Sequence, residues 1–116
     1  MHILSSDSIT GTQVENRQGE NLGDIKEVML DTDTGRVIYA VLDFGGFLGI
    51  GNKLFAMPWE AFTIDTVNEQ FVLDVDKETL ENAPGFDQDD WPDMNDLTYA
   101  REVYTYYNYD PFWETV

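Results

Sequence analysis

The residues most suggestive of chemistry are Gly46–Lys53, G-F-L-G-I-G-N-K, where three glycines precede a lysine. A phosphate-binding loop requires G-x-x-x-x-G-K-[ST]: amides and lysine hold the phosphates, and the hydroxyl holds magnesium. Here Asn52 separates the last glycine from Lys53, and Leu54 stands where the hydroxyl belongs. The context fails as well. An anion site needs a helix N-terminus, whereas the following K-L-F-A-M-P-W reads as a strand. The dinucleotide pattern G-x-G-x-x-G is not met, because Gly46, Gly49 and Gly51 give G-x-x-G-x-G. The stretch is therefore read as a connection between strands whose glycines supply positive φ. Its Phe47, Leu48 and Ile50 must pack on the mouth of their own fold or on another molecule.

Other chemistry-bearing groups lead no further. Asp31–Gly35, D-T-D-T-G, imitates the start of a calcium loop, but Gly35 comes one place early and Leu42 replaces the closing glutamate. A tight turn accounts for it. Asp87, Asp89, Asp90, Asp93 and Asp96 form an acidic run that would serve for helix capping and turns, or else for binding calcium. The single histidine is His2, at the terminus, and there are no cysteines. A three-histidine metal site and thiol chemistry are thus excluded, and a Ser-His pair inside the fold is not expected. Among the carboxylates Asp43 is singled out, because it continues the apolar face of Val37, Tyr39 and Val41. Buried, it would be a desolvated acid; the wet end of a strand, or pairing with Lys53 or Arg36, is the commoner explanation. No catalytic residue, cofactor site or metal site is assigned.

The elements that carry these residues are mostly short strands. Thr10–Asn16, Leu22–Asp31, Arg36–Phe44, Lys53–Trp59, Phe62–Asp65 and Phe71–Val75 read as six of them, separated by turn signals. That pattern predicts a mainly β fold, a small barrel or sandwich. Arg36–Phe44 is apolar on both faces, with Ile38, Ala40, Leu42 and Phe44 on one and Val37, Tyr39 and Val41 on the other. Both faces need cover, and the second layer must come from the C-terminal tail or another subunit. Asp76–Ala83 reads as a short helix with Asp76 as N-cap, stopped by Pro84-Gly85. Residues 84–116 then hold nine of the sixteen aromatic residues. Such density predicts burial against the barrel or at an interface.

With 116 residues the chain is of single-domain length. We divide it into residues 1–83, a barrel, and residues 84–116, an acidic aromatic-rich extension. The net charge of −17 would repel nucleic acid and anionic membrane surfaces. It fits solubility, a basic partner or a high-salt habitat. No apolar run approaches the roughly 18 residues of a membrane span, and Met1–Gly11 lacks the plan of a signal peptide. A cytoplasmic location is expected.

The order of motifs is itself informative. Four elements, G…V.N..GE.LG.I, D...G.V.YAVL.FGG, G...FA.PW and F.LD, fall between Thr10 and Val75. Together they resemble the PRC-barrel domain, shared by the H subunit of the purple-bacterial photosynthetic reaction centre and a ribosome maturation factor. L.NAPGFD.D.WPDM.D with later YY and PFW resembles free-standing bacterial members. The resemblance implies a small, partly open antiparallel β-barrel used for docking, with no catalytic residues. Neither the membrane helix of the reaction-centre subunit nor the second domain of the ribosome factor is recognisable, so neither function is carried over. The expected role is a non-enzymatic adaptor that self-associates, as a homodimer or higher oligomer, with a further protein partner and a stress-associated setting. Its expected interface is Phe47, Leu48, Ile50, Trp91, Tyr106, Tyr107 and Trp113. The alternative is a calcium or small-ligand binding protein using the acidic segment.

Overall fold

The longest strands form a hairpin whose turn is fixed by side-chain chemistry. β2 (Asn21–Asp31) and β3 (Arg36–Phe44) run antiparallel through D-T-D-T-G. One Asp31 carboxylate oxygen accepts the Asp33 amide at 3.0 Å, and the other accepts the Thr34 hydroxyl at 2.9 Å. Gly35 takes φ +79° and donates its amide to the Asp31 carbonyl at 2.8 Å. Asp31 is thereby spent on closing a hairpin, the tight-turn reading of this segment. The computed structural model describes residues 3–45, 53–65 and 67–114.

The remaining strands are β1 (Gln13–Glu15), β4 (Lys53–Pro58), β5 (Phe62–Asp65) and β6 (Gln70–Leu73), and the sheet order is β4-β3-β2-β1-β6-β5. This order forces curvature. β4 and β5 lie at opposite edges, about 24 Å apart if the six strands lay flat. Yet only the helical turn Trp59–Ala61 joins them, and the step from Pro58 to Phe62 reaches at most ~14 Å. The sheet must curl into a half-barrel. Trp59, Phe62 and Phe71 pack at this closure with ring centroids 5.8 to 6.0 Å apart.

Four of the strand pairings are antiparallel, but β1 and β6 are parallel. The expected partly open antiparallel barrel is present, with this one parallel pairing in it. The β5–β6 hairpin arrives from the far edge and meets β1 pointing the same way. Among the described residues three short helices complete the fold: α1 (Ser6–Ile9), α2 (Lys77–Glu81) and α3 (Leu97–Tyr106). Asp76 caps α2, its carboxylate accepting the Thr79 amide at 2.6 Å. Hydrogen bonding to Thr79 also lowers the Asp76 pKa.

Backbone geometry explains one of the motif glycines. Gly23 sits at φ +104° on β2, and a Cβ there would lie 2.0 Å from the Asp43 carbonyl oxygen. Only glycine allows β2 and β3 to approach this closely. In the preceding turn the buried Asn16 accepts the amides of Gln18 and Glu20 at 3.1 and 2.9 Å, and donates to the Glu20 carboxylate at 2.8 Å. Hence N..GE.LG encodes a turn and a close strand contact, with no ligand group in it.

Candidate interaction surface

β3 needs cover on two sides, and the C-terminal extension supplies one of them. Ala100, Val103, Tyr104 and Tyr107 are the buried residues of α3 and its C-cap. Their spacing of three and four residues is that of one helix face. Tyr39 meets this face, with its ring 6.4 Å from Tyr99 and 6.1 Å from Tyr104. The Tyr104 hydroxyl donates to the Ile38 carbonyl at 2.8 Å. The strand register explains why that carbonyl is available. Met29 pairs with Tyr39 and Leu30 with Val37, so Ile38 is skipped by β2, while the β4 ladder ends at Tyr39 opposite Pro58. The second layer over Tyr39 is therefore intramolecular.

α3 was not foreseen as an element, although its signals are present. Asp96 accepts the Thr98 amide at 2.9 Å as N-cap. At the other end Asn108 takes φ +64°, the Tyr109 amide donates to the Tyr104 carbonyl at 2.9 Å, and the Asn108 amide donates to Thr105 at 3.1 Å. This is a Schellman stop with asparagine in the glycine position. Upstream, Phe86 exchanges two backbone hydrogen bonds with Leu54, at 2.8 and 2.9 Å. The extension thus pairs with the β4 edge, which would otherwise be an exposed template.

Burial changes the tyrosines of this layer. It is the main cause that pushes the Tyr99 and Tyr104 hydroxyls up to about 12, with Glu102 and Glu60 adding to the shift respectively. Tyr39 and Tyr107 are raised too, first by burial and then by neighbouring tyrosines. All four stay neutral at ordinary pH.

The residues expected at an interface fall into separate places. Phe47, Leu48 and Ile50 lie outside the described residues. Trp91 packs on Phe86 at 5.0 Å, and Phe86 bonds Leu54, the second residue after the loop's exit. Tyr106, 36% exposed, donates its hydroxyl to the Thr79 carbonyl of α2 at 2.8 Å. On the same helix Lys77 stands 5.8 Å from the Phe44 ring, at the loop's entry. Trp91 is thus linked to the exit stem through Phe86, and Tyr106 to the helix whose Lys77 reaches the entry stem. Tyr107 is only 8% exposed and faces its own core; its part is to support Tyr106, ring to ring at 4.9 Å. Trp113 belongs to the opposite end, packed on Tyr104 at 4.9 Å.

At that opposite end lies a groove of about 410 Å³ between the β2–β3 hairpin, the start of α3 and the turn Phe112–Glu114. Met29, Leu30, Ile38, Met94, Leu97 and Trp113 line it, together with Asp31 and Asp33. Nothing in the sequence reading singled out Leu30 or Leu97, because neither stands in a motif.

Two acids of the run serve local structure through their side chains: Asp93 accepts the Asn95 amide at 3.0 Å and Asp96 caps α3, while Asp87 and Asp90 form a backbone bridge. Among the described residues no three histidine or carboxylate side chains converge as a metal ion would require. Asp43 is half-buried, paired in register with Asp24 and Leu54. Arg36, one of its expected partners, is at the other end of β3, its guanidinium 3.4 Å above the Phe112 ring. No helix among the described residues is long and apolar enough to cross a membrane.

A curled six-stranded half-barrel with motif residues at its turns defines a class, and residues 1–80 match the PRC-barrel domain. The chain belongs to the PRC-barrel family. Among solved structures it is similar to RimM, a 16S ribosomal RNA processing protein from Pseudomonas aeruginosa, at 15% identity and a TM-score of 0.44. That likeness covers 65% of this chain and 45% of the RimM chain, so less than half of RimM's length is represented. No curated protein matches in sequence.

Proposed function

We propose that this protein is a non-enzymatic interaction module that self-associates, as a homodimer, through the β3–β4 end of its half-barrel. One observation carries the reading. Trp91 packs on Phe86, which bonds Leu54 at one stem, and Tyr106 bonds α2, whose Lys77 reaches Phe44 at the other; Phe47, Leu48 and Ile50 lie between these stems in the sequence. Aromatic anchors around an apolar loop have the composition of an interface core. The uncovered sheet face no longer contributes to the case, since α3 covers Tyr39. A docking role without chemistry agrees with family membership. We place the protein in the cytoplasm.

Mass measured by light scattering over a wide concentration range tests this. A concentration-dependent rise from monomer to dimer is expected, and Trp91→Ser with Tyr106→Ser should weaken it about tenfold or more. A monomer at every concentration would defeat the proposal.

A further inference from the structure

We infer that the groove at the β2–β3 hairpin end docks a basic amphipathic segment of a different protein. This does not rest on self-association, which is assigned to the other end. The groove exposes large apolar side chains in a chain otherwise rich in acid. Leu97 is 63% exposed and Leu30 53%, and both line the same hollow with Met29, Met94, Ile38 and Trp113. Contiguous apolar surface of this kind marks contact sites on soluble domains. The two methionines suit it to partners of varied shape, because their thioethers repack easily.

Charge selects the occupant. Asp31 and Asp33 line the groove, and Asp93 and Asp96 bracket Met94 and Asn95 in the chain. The nearby cations are already engaged: Arg36 lies on the Phe112 ring, and Arg101 is paired with Glu114. A second copy, bringing its own −17, would meet like charge here. A segment with apolar anchors and flanking lysines or arginines meets complementary charge, which aids both selection and encounter.

A helical leucine–lysine peptide is the probe, with a leucine–glutamate peptide of the same length as counter-probe. Amide chemical shifts are followed during titration at about 0.15 M salt. The leucine–lysine peptide should shift Met29–Asp31, Ile38 and residues 95–97, and the glutamate peptide should not bind. Leu30→Ser with Leu97→Ser should weaken binding about tenfold or more. Ile64→Ser, an exposed site on β5, should leave it unchanged. Shifts scattered over the acidic surface, undiminished affinity in the Leu30/Leu97 variant, or equal binding of the glutamate peptide would each overturn the inference. So would a dimer that falls to monomer in the Leu30/Leu97 variant, since the occupant would then be a second copy. Failure of the dimer reading is separate, as it is read from mass in the Trp91/Tyr106 variant.

Discussion

Removing the Tyr104 hydroxyl tests how the extension is held to the half-barrel. In Tyr104→Phe the ring and its contacts with Tyr39, Phe112 and Trp113 are retained. What is lost is the 2.8 Å hydrogen bond to the Ile38 carbonyl, at a position that β2 skips and the β4 ladder does not reach. A net hydrogen bond contributes about 1 kcal/mol, and a stranded acceptor costs about 1–3 kcal/mol. We expect a loss of about 1–2 kcal/mol, because a partly buried carbonyl recovers some hydration. For 116 residues, at about 2.1 cal/mol/K of unfolding entropy per residue, 1 kcal/mol moves Tm by about 4 °C. Tyr104→Phe should therefore melt about 4–8 °C lower by calorimetry or circular dichroism. Tyr39→Phe is the matched control. The Tyr39 hydroxyl is buried and has no hydrogen-bond partner among the described residues. Its removal should leave Tm unchanged or raise it, since an unsatisfied buried group is deleted. Equal losses in both variants, or none in Tyr104→Phe, would refute the assignment of that bond as the anchor.

Three further outcomes follow from the geometry. Gly23→Ala must move its Cβ off the Asp43 carbonyl, 2.0 Å away, at φ +104°; a loss of about 3 kcal/mol or more is expected, and denaturant melting of a near-wild-type variant would contradict it. Asp96→Ala removes the N-cap of α3 and should cost about 1 kcal/mol in urea unfolding, with no change of mass in light scattering. Alkali should unfold the protein steeply. Tyrosines that ionise near 10 when unfolded are held to about 12 in the fold at Tyr99 and Tyr104. Their stabilising effect is complete below about pH 10 and disappears as pH climbs through the folded values. Tyrosinate absorbance should thus rise together with loss of the far-ultraviolet signal, and its completion near pH 10 in a still-folded protein would contradict the burial of this cluster.

The sheet was legible because its residues carry period-two patterns and explicit turns. Arg36–Phe44 and Phe62–Asp65 came out with matching bounds, since D-T-D-T-G and the T-V-N-E-Q turn delimit them. The parallel β1–β6 pair was not legible. β1 spans Gln13–Glu15 only, too short to show a direction, and its neighbour is set by the closure at Trp59–Ala61. α3 was hidden by the aromatic density of its own sequence. Tyr99, Tyr104, Tyr106 and Tyr107 drew attention as a cluster, while the 100-103-104-107 spacing was the informative signal. The groove could not be read at all. Leu30 and Leu97 stand in no motif, and only the fold brings both, exposed, to the lining of one groove.

The central claim is an acidic docking module that pairs through its β3–β4 end, and sedimentation equilibrium at two ionic strengths tests it most directly. The 13.3 kDa monomer should give way to twice that mass as concentration rises. Because each copy carries −17, the dimer should tighten on moving from about 0.02 M to about 0.5 M salt, where repulsion is screened. A single species of 13.3 kDa at both salt concentrations and at every protein concentration would contradict the account.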